Sequence, residues 1–183
     1  SDVDPSSYHA GPIYGPFHDG SFVPNNGFVV GDSGAIGHTT NNGVSWHINH
    51  FPPLVKMRRI KFLDMVSAIA VGDGGAMLRS SNGGQSWNPI AGITGENFSD
   101  MSFPTSTKGW LTTEGGKLIH TSNGGTEWSQ QNDFTPQQLT ACYFLDENHG
   151  WVTGTVSDPV GGGSQVGTMN ITSDGGSTWN SLP

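Results

Sequence analysis

The sequence predicts an all-β chain folded as a β-propeller. Three observations predict it: a turn motif ending in tryptophan occurs four times, its spacing is the length of one blade, and no segment keeps a helical period. The turns read Thr39-Thr-Asn41-Asn-Gly43-Val-Ser45-Trp46, Ser80-Ser-Asn82-Gly-Gly84-Gln-Ser86-Trp87, Thr121-Ser-Asn123-Gly-Gly125-Thr-Glu127-Trp128 and Thr172-Ser-Asp174-Gly-Gly176-Ser-Thr178-Trp179. Trp46 to Trp87 and Trp87 to Trp128 are each 41 residues, and Trp128 to Trp179 is 51. A period of about 40–45 residues is that of a four-stranded propeller blade.

The strands of each unit follow in order. A first strand ends at Phe62, Phe103 or Phe144, in runs such as Arg59-Ile-Lys-Phe62 and Ala141-Cys-Tyr-Phe144. A second strand runs into a glycine-rich hairpin, as in Val29-Val-Gly31-Asp-Ser-Gly34 and Ala70-Val-Gly72-Asp-Gly-Gly75. The third strand carries Ala35-Ile36, Met77-Leu78, Leu118-Ile119 or Met169-Asn170 and leads into the turn, its Trp and a last strand. In the turn, Asn or Asp binds its own backbone and glycine takes the positive φ of the reversal. The Trp folds back over it, hiding roughly 150–250 Å². Asn41, Trp46, Asn82, Trp87, Asn123, Trp128, Asp174 and Trp179 are therefore read as structural, with no chemistry assigned.

Residues 1–183 read as a single domain with blades at 17–50, 51–91, 92–132 and 133–183. The leading segment 1–16, with Pro12-Ile13-Tyr14, could supply a closing strand to the last blade. The fourth unit is lengthened by an insertion at 155–168, read as a long loop replacing a tight hairpin, either a binding loop or a tolerated insertion. Four blades can form a small ring, or part of a larger ring completed by another chain or by further sequence.

The four turns resemble the Asp-box (BNR) repeat, Ser/Thr-x-Asp-x-Gly-x-Thr-Trp. The Val-Gly-x-x-Gly hairpin and the Ile-x-Phe strand make the unit most similar to the photosystem II assembly and stability factor family of propellers. The resemblance covers roughly Phe22 to Trp179. It departs at Asn41, Asn82 and Asn123, which replace Asp, and at Glu127, which replaces Thr. The turn motif implies the fold and little about function, because sialidases, receptors and scaffolds share it. The assembly-factor resemblance implies a non-catalytic protein that holds acidic or C-terminal segments of its partners through an arginine-rich patch.

Composition fits a loop-rich β protein: 28 Gly, 33% apolar and 12% charged residues. A net charge of −8 and a pI near 5.1 disfavour nucleic acid and anionic membranes as partners. There is no apolar run of membrane-spanning length and no signal-peptide pattern. The low charge and the Gly, Asn, Ser and Thr content suggest an extracytoplasmic setting: lumenal, periplasmic, secreted or virion. Cys142 is the single cysteine, so no disulfide forms within the chain; it takes the apolar slot of Ile60 and Met101 and is read as a buried thiol.

No catalytic, metal or cofactor site is expected. A sialidase needs three arginines converging from different blades, whereas Arg58, Arg59 and Arg79 all lie in the second. Arg58 and Arg59, adjacent on a strand, should point to opposite faces. Asp32, Asp73 and Glu114 are one repeat position, read as solvated turn acids a blade-width apart, too far for a glycosidase pair at about 5–9.5 Å. His38 and His120 are repeat equivalents read as rim residues, His47 and His50 share a strand, and His9, His18 and His149 are placed in loops; none has metal-ligand spacing.

One departure from the repeat stands out. Five of the seven basic residues, Lys56, Arg58, Arg59, Lys61 and Arg79, fall in the second unit, against Asp64 and Asp73. Ile60 and Phe62 set the core phase, so Arg59 and Lys61 lie off it. Arg58, Arg59, Lys61 and Arg79 are the candidate partner-binding residues, suited to carboxylates through the arginine fork. The leading functional reading is a protein-binding propeller that takes a peptide or acidic segment. The alternatives are a self-assembling structural component of a virion, fibre or surface assembly, and a glycan-binding or glycosidase-related module.

Overall fold

The computed structural model describes residues 15–91, 95–158 and 164–182. Within them lie four antiparallel sheets of four strands, each in simple up-and-down order. The first holds β1 (Phe17–Val23), β2 (Asn26–Gly31), β3 (Ala35–Thr39) and β4 (His47–His50). The second holds β5 (Met57–Phe62), β6 (Ala68–Gly72), β7 (Met77–Ser80) and β8 (Asn88–Pro89). β9 (Phe98–Ser102), β10 (Gly109–Thr113), β11 (Lys117–Thr121) and β12 (Ser129–Asp133) form the third. β13 (Gln138–Phe144), β14 (Gly150–Ser157), β15 (Gln165–Thr172) and β16 (Asn180–Leu182) form the fourth. The fold is a four-bladed β-propeller arrangement; its described helical content is two single 3-10 turns, Asp32–Gly34 and Asp73–Gly75.

The first strand of each blade lies nearest the axis: β1 packs on β5, β5 on β9 and β9 on β13. Three apolar layers fill the spaces between consecutive blades. Phe28, Val30 and Ile36 of blade one meet Ile60, Phe62 and Trp87 of blade two. Ile69, Val71 and Met77 meet Phe98, Leu111 and Trp128. Trp110 and Leu118 meet Leu139, Cys142, Phe144 and Val152. Stacked rings mark two of these layers, Phe28 on Phe62 at 4.7 Å and Trp110 on Phe144 at 3.6 Å between centroids.

The four turns are superimposable in their bonding. The hydroxyl of Thr39, Ser80, Thr121 or Thr172 donates to the side-chain Oδ1 of Asn41, Asn82, Asn123 or Asp174 and accepts from the N–H of Gly43, Gly84, Gly125 or Gly176. The same Oδ1 accepts the N–H two residues past the glycine, at 2.9–3.0 Å in every copy. Asn serves as well as Asp here, and Glu127 takes an amide proton of Asn123 at 3.2 Å. In the fourth turn the Thr178 side chain and N–H both donate to Asp174, pushing its carboxyl down to about 2.

The tryptophans occupy equivalent places, but each reaches beyond its own turn. Trp87 meets Phe28 of the preceding blade edge-on at 5.2 Å. Trp179 donates to Asn132 of the preceding blade at 3.2 Å and to the Gly176 carbonyl at 3.0 Å. The second, third and fourth turns are thus also clamps between blades.

Three sequence expectations change. The insertion is not an open loop: Thr155↔Gly167, Val156↔Val166 and Ser157↔Gln165 pair, extending β14 and β15 into a longer ribbon. Its residues 159–163 lie outside the described residues, as do His9 and Pro12-Ile13-Tyr14 of the leading segment. His38 and His120 are not rim residues but half-buried, tilted against Phe28 and Trp110 at 4.6 and 4.9 Å. Finally, His18 lies on β1 and not in a loop.

Burial lowers the pKa of both His38 and His120 from the ordinary 6.5, assisted by His47 and Lys108 respectively. The folded form therefore binds fewer protons than the unfolded chain just below that value. The stability these neutral rings contribute is complete above about 6.5 and is lost as pH falls toward their folded values. Thermal melts between pH 7.5 and 5.5 are expected to show a falling midpoint, and a His38→Gln/His120→Gln variant a flatter profile. An unchanged slope in that variant would assign the pH dependence elsewhere.

Candidate functional site

The axial end of the arc is built by a repeated irregularity. In every inner strand one residue is extra. Phe17 pairs with Gly31 and Asp19 with Val30, leaving His18 unmatched. Arg58 is likewise left between Met57↔Gly72 and Arg59↔Val71, Ser99 between Phe98↔Thr113 and Asp100↔Thr112, and Thr140 between Leu139↔Gly154 and Ala141↔Thr153. Such a β-bulge re-aims side chains. All four bulge residues line a single cavity of about 570 Å³ at the axis, together with Lys56, Arg59, Glu114 and Gln138. A second cavity of about 240 Å³, between the inner strands, is lined by Asp19, Arg59, Lys61 and Asp100 among others.

The bulge corrects the alternation argument for the arginines. On a regular strand Arg58 and Arg59 would point to opposite faces; with Arg58 as the extra residue, both border the same cavity. Their charges are partnered. Arg58 donates to Asp73 of its own blade and to Glu114 of the next. Arg59 donates to Asp100 of the third blade at 2.9 Å and to the Arg58 carbonyl at 3.0 Å. Burial opposes the Arg58 charge, but the hydrogen bonds and charges of Glu114 and Asp73 outweigh it, and its pKa is raised. Glu114 is held below its ordinary value by a hydrogen bond from Asn97 at 2.9 Å and then by Arg58, with burial in opposition.

The acids at the repeat position are thus neither merely solvated nor, for Asp73 and Glu114, a blade-width apart: one guanidinium spans the two. In blade one His18 sits 2.8 Å from Asp32, the equivalent pair. Lys56 and Lys61 differ from the arginines. Among the described residues neither has a carboxylate within ion-pair distance, and Lys61 is exposed. Arg79 lies elsewhere, its Nε donating to the Gly124 carbonyl at 3.0 Å between blades two and three. The structure therefore brings together Arg58, Arg59 and Lys61 around the axis and leaves Arg79 apart.

The sequence reading missed Lys56, His18, Ser99, Gln138 and Thr140 as axial residues. The signal was present in the recurring Gly31, Gly72 and Gly154. Chemically, the site is a ring of fixed charges and hydroxyls with cations on one side. No group of three or more His, Cys, Asp or Glu suited to a metal ion occurs among the described residues. Cys142 is buried, its thiol pKa pushed up by burial and then by Asp100.

No protein-family model matches the chain, and no curated protein sequence matches it. Among solved structures it is similar to YCF48 bound to a D1 peptide, with 22% identity and a TM-score of 0.61 over 91% of this chain and 66% of that one. It is similar to YCF48 from Cyanidioschyzon merolae at 22% identity and TM-score 0.66, over 96% of this chain and 61% of that one. The GH74 xyloglucanase from Xanthomonas campestris gives 13% identity and TM-score 0.66, over 90% and 31%. The chain spans less than two thirds of the YCF48 chains. These likenesses show the propeller fold.

Proposed function

We propose that the chain is a non-catalytic, protein-binding propeller of the Asp-box, assembly-factor type, which takes a peptide or acidic segment at the axial mouth. The observation that carries this reading is the row of cations that blade two places along the axis, Lys56, Arg58 and Arg59 at the larger cavity and Arg59 and Lys61 at the smaller, a row unmatched in the other three blades. The YCF48 structure with a bound D1 peptide supports it as a precedent for a propeller of this shape holding a peptide. Arg58 and Arg59 are already committed to Asp73, Glu114 and Asp100, so in this reading their charges are neutralised and they hold the floor of the mouth rigid. Lys56 and Lys61, with no carboxylate in ion-pair distance among the described residues, supply the charges that meet the partner's carboxylate. An extracytoplasmic setting is part of the same proposal; no helix among the described residues is long and apolar enough to cross a membrane.

The test uses fluorescence anisotropy with a labelled glutamate-rich peptide ending in a free carboxylate. Exposed charge pairs contribute about 0–1 kcal/mol each. Lys56→Glu/Lys61→Glu should therefore weaken binding roughly tenfold with the circular dichroism spectrum unchanged. Raising salt past physiological strength, where the Debye length is already about 8 Å, should weaken it further. Equal affinity of wild type and double variant would remove the axial cluster as the site. Reversal of Arg59 is a poorer test, because although it lies off the core phase its partner is Asp100 of the next blade.

A further inference from the structure

We propose that the two end faces of the four-blade arc dock on each other between two copies of the chain, head to tail, closing an eight-blade ring. These faces are separate from the axial site. The three internal interfaces follow one rule. A residue at the Phe28 position faces the following blade: Phe28, Ile69 and Trp110 are 0%, 0% and 1% exposed. The residue at the Phe62 position faces the preceding blade and stacks on it, as Phe62 does on Phe28 and Phe144 on Trp110. The turn tryptophan then closes the contact from the outer side.

At the two ends of the arc the same positions are filled but uncovered. Trp151 is the fourth member of the Phe28 series; it is only partly buried, flanked by Tyr143 at 6.2 Å, with Tyr143 itself 60% exposed. Met169 is 40% exposed, whereas its equivalents Ile36, Met77 and Leu118 are 2%, 2% and 0% exposed. On blade one, Phe22 is the first member of the Phe62 series and is 60% exposed, against 7% for Phe62 and 2% for Phe144. Trp46 is edge-on to Phe22 of its own blade at 6.0 Å. Among the described residues, the most closely packed strand pairs that cross between blades join consecutive blades.

What fits each end is therefore stated by the chain itself. The face bearing Phe22 and Trp46 is built to receive a ring at the Trp151 position, and the face bearing Trp151 and Met169 to receive a stacking aromatic and a turn tryptophan. None of these four side chains is charged. A heterologous contact of this kind either closes a ring or grows a filament. Two copies of four blades give eight, within the about four to eight of closed propellers. One departure weakens the polar part of the seam: Asp19 and Asp100 accept the N–H groups of Ile60 and Cys142 across blades, and Ala141, at the equivalent place, has no acceptor. The new seam therefore rests on its apolar surface.

The test has two arms. Light scattering of the unmodified chain after gel filtration should give twice the 19.3 kDa chain mass at micromolar concentration. Met169→Asp should halve it with an unchanged circular dichroism spectrum. A 19.3 kDa species at all concentrations, or an open-ended series of larger ones, would overturn the proposal. In the second arm, a Phe22→Cys/Trp151→Cys variant is oxidised; Cys142 is buried and the wild type serves as control. A disulfide linking two chains supports head-to-tail docking. An internal disulfide in a single chain would mean the four blades close on themselves, and no disulfide would mean the faces do not meet; either sinks it.

Discussion

Trp128→Ala is expected to remove about 3–5 kcal/mol of unfolding free energy. At about 2–4 °C per kcal/mol for a chain of this size, the melting point should drop by roughly 6–20 °C. Trp128 is 8% exposed, sits edge-on to Phe103 at 5.9 Å, joins the layer of Ile69, Phe98 and Leu111, and donates to the Gly125 carbonyl at 3.1 Å. Its removal opens a void between two blades and frees a turn carbonyl. Trp46 ends an equivalent turn, but the aromatic ring it meets among the described residues is Phe22 of its own blade. At a concentration low enough to hold single chains apart, Trp46→Ala should cost less, about 1–2 kcal/mol. Urea denaturation of the two variants compares them directly. Equal losses would show that each Trp works within its own turn and not as a clamp on the preceding blade.

That contrast marks where sequence reasoning succeeds and stops. The blade count and the turn chemistry were legible because the period repeats one local solution, and a local solution depends on residues at fixed offsets. Whether a given Trp is covered depends on which blade precedes it, and four equivalent motifs carry no word of that. The candidate site shows the same division. The concentration of Arg58, Arg59 and Lys61 in one unit could be read from the chain, and so could their position off the core phase. Their partners could not. Asp73 was a candidate neighbour within the unit, but Glu114 and Asp100 are 56 and 41 residues away and come into reach only when inner strands pack. The placement of Arg58 failed for a different reason: a period of two assumes an unbroken ladder, and the bulge adds one residue. His18, set in a loop by the absence of a pattern, sits in the equivalent bulge.

The bulge had a signature all the same, and it yields the second large effect: Gly72→Ala should both destabilise the chain and disable the axial site. Gly72 has φ −157°, an extended value open to any residue, so left-handed geometry is not the reason for glycine. Space is the reason. A Cβ at Gly72 would lie 2.3 Å from the Lys56 carbonyl oxygen and 3.0 Å from the Met57 Cα, and that backbone leads into Arg58. Gly154 meets the Gln138 carbonyl at 2.3 Å and Gly31 the Pro16 carbonyl at 2.7 Å in the same way. Blade three places Thr113 there and turns its hydroxyl to Glu96 at 2.6 Å, so the constraint is set blade by blade. Backbone cannot swing aside as a side chain does, so the cost should lie toward the upper end of the about 1–3 kcal/mol typical of overpacking. The strand must shift, carrying Lys56 and Arg58 away from Glu114. Peptide affinity should therefore fall in Gly72→Ala although no charge has been removed, at a temperature where the variant is still folded. Unchanged denaturation and unchanged peptide binding would show that the bulge does not set the geometry of the site.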